Sequence, residues 1–195
     1  MNNLNFEKTG GLLPVIVQDY RNLQVLMLGY MNQEALNITR TTKQVTFFSR
    51  SKNRIWTKGE TSGNTLSVKK IISDCDQDTL LILAKPNGPT CHTGSQSCFA
   101  TQGNFLYELE TILEDRLRSD DQNSYTKKLM DQGLNKVIQK FGEESVELII
   151  EAKDQNKNLF LNEAADMLYH FLVLLQAKET SLKEVEDKLI ERRKK

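Results

Sequence analysis

Proline stops partway along this chain. Pro14, Pro86 and Pro89 all precede residue 106, and of ten glycines only Gly133 and Gly142 follow it. Proline breaks a helix interior and glycine weakens it. The part from Leu106 onward, rich in Leu, Ala, Glu and Lys, therefore reads as helices. The part before it reads mostly as strands, because β-rich apolar runs there alternate with turn-forming residues. A chain of 195 residues is long enough for two units that each bury a core. We expect a boundary at the polar link Ala100–Asn104, giving domains 1–104 and 105–195.

In the first part, Leu12–Tyr20 and Leu23–Gly29 read as strands around a hairpin turn at Tyr20–Leu23. Asn32 is placed to cap a short helix ending near Thr42. Val45–Arg50, Ile55–Lys58, Ser67–Asp74 and Thr79–Ala84 are further strands. In the second part, helices are expected over Leu106–Arg118, Tyr125–Met130, Leu134–Lys153, Asn158–Lys178 and Leu182–Arg193, with Ser181 as an N-cap and a loop over 119–124. Short links of this kind suit an antiparallel bundle. The expected fold is an α+β, mostly antiparallel β, metal-binding domain followed by an all-α helical bundle.

The 26 basic and 26 acidic residues cancel, so nothing suggests a nucleic-acid binder. No apolar run approaches the ~18 residues of a membrane span. The start, MNNLNFEKTG, is polar and carries no secretory signal. Three cysteines do not make a complete disulfide framework. Reduced thiols in a cytoplasmic protein serve as metal ligands or catalytic groups, and the cytoplasm is the expected location.

All three cysteines lie in Asp74–Phe99, DCDQDTLLILAKPNGPTCHTGSQSCF. If Asp74–Asp78 is extended, Asp74, Asp76 and Asp78 share one face and Cys75 points to the other. Three carboxylates on one face suit a hard cation such as Mg²⁺. Cys91 and Cys98 are separated by six intervening residues in a Gly/Ser-rich loop, wider than zinc-finger spacing. Three thiolates on zinc leave an open position, which marks a catalytic site and lowers the pKa of bound water. His92, beside Cys91, is a candidate to move a proton or else to be the fourth zinc ligand. The competing reading is a polar turn with cysteines packed as small hydrophobes.

The segment resembles the signature of the phosphoribosyl-AMP cyclohydrolase family of histidine biosynthesis. The likeness runs upstream through WTKGETSGN, VLMLGYMNQEAL and LLPVIVQD, so it covers about Gly11–Phe99. It implies hydrolysis of a purine ring between N1 and C6. It also implies zinc on Cys75, Cys91 and Cys98, magnesium on Asp74, Asp76 and Asp78, and a dimer that builds the zinc site from both subunits. Trp56, Lys58, Gly59, Ser62 and Gly63 would then serve the substrate, with Arg50, Arg54 and Lys58 meeting phosphate. Gly29 stands where that family usually has alanine.

In the helical part, Leu134, Val137, Ile138, Phe141, Leu148, Ile149 and Ala152 form an apolar stripe at helical spacing. Glu143, Glu144, Glu147 and Glu151 line one edge of it. Like charges at i,i+3 and i,i+4 destabilise a bare helix, and a bound cation reverses that. Glu163 and Asp166 repeat the pattern on the next helix, with His170 one turn on. The competing reading is a solvated acidic face. KFGEESVELIIEAK and NEAADMLYHFLVLL resemble the MazG-related pyrophosphohydrolases, and most closely phosphoribosyl-ATP pyrophosphatase. That match covers about Phe105–Lys195 and implies Mg²⁺ on Glu143, Glu144, Glu147, Glu163 and Asp166. Lys136 and Lys140 become candidates for phosphate, and His170 either a partner of the ligands or a satisfied core residue.

Together the parts resemble a bifunctional hydrolase of histidine biosynthesis, whose substrates are the small nucleotides phosphoribosyl-ATP and phosphoribosyl-AMP. It would be a homodimer binding neither nucleic acid nor membrane. Two alternatives stay open: a house-cleaning nucleotide pyrophosphohydrolase with a zinc-binding accessory domain, and a non-enzymatic zinc-thiolate module joined to a dimerising bundle.

Overall fold

The computed structural model describes residues 4–99, 101–119, 121 and 123–193. Ala100 of the expected link, Asp120 and Gln122 of the expected loop, and the ends 1–3 and 194–195 lie outside the described residues. The chain divides into two compact units, Met1–Phe105 and Leu106–Lys195.

The first unit holds β1 (Leu13–Asp19), β2 (Val25–Met31), α1 (Gln33–Thr42), β3 (Thr46–Ser49), β4 (Arg54–Thr57), β5 (Leu66–Ser73) and β6 (Leu80–Pro86). Four strands make a sheet in the order β2-β1-β6-β5, and β3 pairs with β4. The hairpin-type neighbours are antiparallel. β1 and β6 pair in parallel, a long-range contact that local pattern does not reveal. Side chains alternate across each strand, so Leu13, Val15 and Val17 of β1 and Leu80, Ile82 and Ala84 of β6 are buried together with Leu36, Phe47 and Leu66. The core leaves no room at Gly29, where a β-carbon would stand 2.3 Å from Cε1 of Phe47. Asn32 caps α1 by accepting the Ala35 N–H at 2.8 Å.

Two local expectations are corrected. β2 begins at Val25, not Leu23, because Leu23 takes a left-handed backbone (φ 59°) and belongs to the turn. The Asp74–Asp78 segment is not extended. Asp74 Oδ1 accepts the N–H groups of Asp78 and Thr79, each at 3.1 Å, and Gln77 is left-handed at φ 63°. A short carboxylate that captures nearby main-chain donors folds the chain into a turn, so strand alternation does not govern these aspartates.

The second unit consists of α2 (Phe105–Arg118), α3 (Tyr125–Asp131), α4 (Leu134–Glu151), α5 (Lys157–Ala177) and α6 (Leu182–Arg193). Asn156 accepts the N–H groups of Asn158 and Leu159 and so starts α5 one residue earlier than expected. Ser181 and Glu184 cap α6 reciprocally: the Ser181 N–H donates to Glu184 Oε2 at 2.8 Å, and the Glu184 N–H to Ser181 Oγ at 3.3 Å. Buried Glu110 accepts the next free donor, the Leu182 N–H, at 2.6 Å. Leu113, Leu129, Val137, Leu172 and Val173 form the core.

α4 packs against α5, yet of its expected apolar stripe only Val137 is buried. Ile138, Val146, Ile149 and Ile150 of α4 are exposed, as are Leu159, Phe160, Leu161 and Leu168 of α5.

Candidate active sites

The first unit carries a cleft of ≈ 710 Å³ above the β3–β4 hairpin. Its floor depends on Gly59, which has φ +86° and whose β-carbon would lie 2.5 Å from the Asn64 main chain. No L side chain fits there. The loop closes on itself through Gly63 N–H to Gly59 O at 2.9 Å and Lys58 Nζ to Asn64 O at 3.0 Å. Trp56, Lys58, Gly59, Ser62, Cys91, His92 and Cys98 line the cleft. Arg54 lines it too, paired with Glu60. Arg50 stacks on the Tyr30 ring, its guanidinium carbon 3.7 Å from the centroid, and neither it nor Gly63 is among the cleft-lining residues.

The cysteine loop is sewn to β2. Cys98 N–H donates to Leu26 O at 2.8 Å, and Ser97 Oγ to Val25 O at 2.6 Å. Cys91 and Cys98 line the same cleft, and each shifts the other's thiol. The Thr93 hydroxyl, 3.1 Å from Cys91 Sγ, and then the Thr93 N–H and the Ser95 hydroxyl hold the Cys91 thiol down to about 6. Burial, followed by the charge on Cys91, pushes the Cys98 thiol up. Burial likewise lowers the Lys58 ammonium, against the pull of Cys98 and Cys91. His92 Nδ1 stands 3.7 Å from Cys91 Sγ.

Cys75 is elsewhere. It sits in the turn where Ser73 pairs with Leu80, whereas the chain enters the Cys91 loop from the end where Leu66 pairs with Pro86. At about 3.3 Å per residue, the hairpin between those ends is roughly 20 Å long. Among the described residues no third metal-binding side chain joins Cys91 and Cys98 in one group. Asp74, Asp76 and Asp78 do converge, with one oxygen from each within 4.8 Å of the others. It is the turn that gathers them. Lys8 inserts its ammonium between Asp76 and Asp78, and the main chain of Asn5 donates to Gln77 O at 2.7 Å. The Lys8 contact holds the Asp78 carboxyl below the usual range.

In the second unit, Glu144 and Glu147 of α4 meet Glu163 of α5, again within 4.8 Å. Desolvation, then the charges of Glu147, Asp166, Glu144 and Glu151, raise the Glu163 carboxyl. Glu143 turns aside to Gln139 (2.7 Å) and Lys140 (3.0 Å). Lys140 also binds Glu144 at 2.7 Å, and these two carboxylates hold its ammonium above the usual lysine range. Lys136 donates to Gln139 at 3.1 Å. Oxygen donors in both carboxylate groups are the chemistry that Mg²⁺ takes.

Residues 27–100 match the family model of phosphoribosyl-AMP cyclohydrolase, and residues 106–193 that of phosphoribosyl-ATP pyrophosphohydrolase. The chain is 49% identical to the histidine biosynthesis bifunctional protein HisIE of Photobacterium profundum, over 98% of this chain and 97% of that one. The HisIE of Escherichia coli (strain K12) is 53% identical over 97% and 95%, and that of Yersinia pestis 50% over 100% and 97%. The chain belongs to the HisIE family. It is thus a bifunctional hydrolase of histidine biosynthesis, with the cyclohydrolase part first and the pyrophosphohydrolase part second. HisIE membership favours the two-step reading over both alternatives raised above.

Sequence reasoning passed over Lys8, which pattern alone cannot carry to a turn so distant in the chain. It also passed over Tyr125, whose hydroxyl reaches His170 at 3.1 Å; a tyrosine opening a short helix gives no such signal.

Proposed function

We propose that the helical unit hydrolyses phosphoribosyl-ATP to phosphoribosyl-AMP and pyrophosphate, and that the first unit opens the adenine ring of that product between N1 and C6. The observation that carries this is the pairing of two chemically different sites: a thiol-lined cleft in one unit and a carboxylate group between two helices in the other. Soft thiolates select zinc and clustered carboxylates select magnesium. Cys75, Cys91 and Cys98 are assigned to zinc, and Asp74, Asp76 and Asp78 to Mg²⁺. Glu144, Glu147 and Glu163, with Glu143 and Asp166 beside them, are assigned to a further Mg²⁺. When bound, such ions polarise phosphate oxygens and lower the pKa of water.

The chain's own side chains bind and orient. Trp56 offers a flat face for the base, and Lys58, with Arg54 and Arg50 nearby, offers positive charge for phosphate. Ser62 and the main chain of Gly59–Gly63 complete that contact. His92 moves the proton in ring opening. In the second site Lys140 and Lys136 meet the triphosphate. The all-α part is read as a MazG-like bundle, and the domains as 1–104 and 105–195.

A homodimer is part of this reading. The hairpin that separates Cys75 from Cys91 supports a zinc site completed by a second copy, and the exposed apolar face of α4 and α5 supports a covered one. No described helix is long and apolar enough to cross a membrane, and three free cysteines suit the cytoplasm.

The test is a paired assay with phosphoribosyl-ATP, Mg²⁺ and zinc, following pyrophosphate release and the ultraviolet change of ring opening together. Cys91→Ala should abolish ring opening and spare pyrophosphate release, and Glu147→Gln should do the reverse when phosphoribosyl-AMP is supplied. Equal loss of both signals in either variant would sink the assignment of two independent sites.

A further inference from the structure

His170 is 6% exposed and engaged at both ring nitrogens. Nδ1 lies 3.0 Å from the main-chain oxygen of Asp166 and 4.0 Å from Glu144 Oε1. Nε2 lies 3.1 Å from the hydroxyl of Tyr125. The rings of Tyr125 and Tyr169 stand edge-on to the imidazole, with centroids at 6.0 and 5.3 Å. Helices α3, α4 and α5 therefore meet at one imidazole, supplying respectively Tyr125, Glu144 and the ring itself.

A carbonyl oxygen only accepts, so Nδ1 carries a proton. In the neutral ring Nε2 is then an acceptor, and the Tyr125 hydroxyl is its donor. We propose that Tyr125 is a positioning residue for the cation site of the pyrophosphohydrolase. The Asp166 carbonyl sets the Nδ1–H tautomer, and the Tyr125 O–H, donating to Nε2, holds the ring so that this N–H points into the gap between the Asp166 carbonyl and Glu144. A ring left to turn would withdraw that N–H from Glu144 and loosen its alignment with Glu147 and Glu163. Partners that orient a metal-binding carboxylate act on ion affinity in this way. The inference rests on the assignment of Glu144, Glu147 and Glu163 to a cation.

Removing the hydroxyl should not undock α3, because Thr126 Oγ1 and the Tyr169 hydroxyl join α3 to α5 separately at 2.7 Å. Tyr125→Phe in the full chain is therefore the variant to make. The chain has only two histidines, so ¹⁵N spectra of the ring nitrogens are assigned by comparison with His92→Asn. Mn²⁺ binding is measured by electron paramagnetic resonance in an Asp76→Asn/Asp78→Asn background, which leaves the helical site to report.

The expected wild-type His170 signal is Nδ1–H alone. In Tyr125→Phe Nε2 loses its donor, so its ¹⁵N signal should shift while Nδ1–H persists, and Mn²⁺ affinity should fall about tenfold. The Mg²⁺ needed for half-maximal pyrophosphate release should rise by a similar factor, with kcat regained at saturating Mg²⁺ and ring opening unchanged. A merely structural role would lower the melting temperature and leave ion affinity alone, which overturns the proposal. So does a wild-type ring protonated at Nε2. If the background protein binds no Mn²⁺ although its ring is Nδ1–H, the cation assignment itself falls and takes this role with it.

Discussion

The ammonium of Lys8 is paired with the carboxylate of Asp78, and it reaches Asp76 as well. The N-terminal turn thus delivers a cation to oxygens that a divalent ion would use. Lysine and such an ion would compete for the same lone pairs. Lys8→Met should raise Mn²⁺ affinity at the aspartate turn severalfold, read by calorimetry in a Glu147→Gln/Glu163→Gln background. The gain is limited because Lys8 and Asp76 are exposed and water screens their pair. An affinity equal to that of the unchanged chain would mean that the ammonium leaves without cost.

The absent side chain at Gly29 makes a stability prediction. An alanine there drives its β-carbon to 2.3 Å from Phe47 Cε1 in a closed core. Overpacking of this kind costs about 1–3 kcal/mol. Gly29→Ala should lower the denaturation midpoint of the first unit, and adding Phe47→Leu should recover part of the loss. Additive destabilisation in the double variant would show that the two positions do not press on each other.

The two cleft thiols should titrate apart. In zinc-stripped protein, Cys91 is held down to about 6 by Thr93 and Ser95, so it is largely thiolate at pH 7. Burial holds Cys98 up, so its thiolate forms only above the usual thiol range. Iodoacetamide at pH 7 should label Cys91 well before Cys98, with the Cys91 rate levelling off just above its midpoint. Thr93→Val should move that midpoint upward. A common midpoint for both thiols would refute the difference.

If zinc is shared between copies, two dead chains should repair each other. Cys75→Ala lacks one part of the thiol set and Cys91→Ala another. Refolded together, they should recover zinc binding and ring opening that neither shows alone. Mixtures as inactive as their components would confine each thiol set to its own chain.

What the sequence made legible followed from short-range rules. Turn residues and alternating apolar positions located every strand of the first unit to within two residues, and the absence of proline after Pro89 marked the helical part. The parallel β1–β6 pair was hidden because its partners find each other only after the intervening chain has folded. Of the two readings of Asp74–Asp78, extended or polar turn, the extended one fails because side-chain capture of main-chain N–H groups outweighs β-pattern there. The α4 stripe was visible, but pattern reports that a face is apolar and not what covers it. The Tyr125–His170 contact was invisible, since it joins two helices through atoms that carry no periodicity.

One consequence of the β5–β6 hairpin reaches beyond the site. If zinc takes Cys75 together with Cys91 and Cys98, a thiol set split across roughly 20 Å of one chain would make ring opening a property of encounter between chains, whereas Glu144, Glu147 and Glu163 meet within a single chain. On progressive dilution, ring opening should fade with the square of protein concentration while the carboxylate site still gathers its own ligands. Dilute enzyme would then release pyrophosphate and let unopened phosphoribosyl-AMP accumulate, so the amount of protein would set the ratio of the two products.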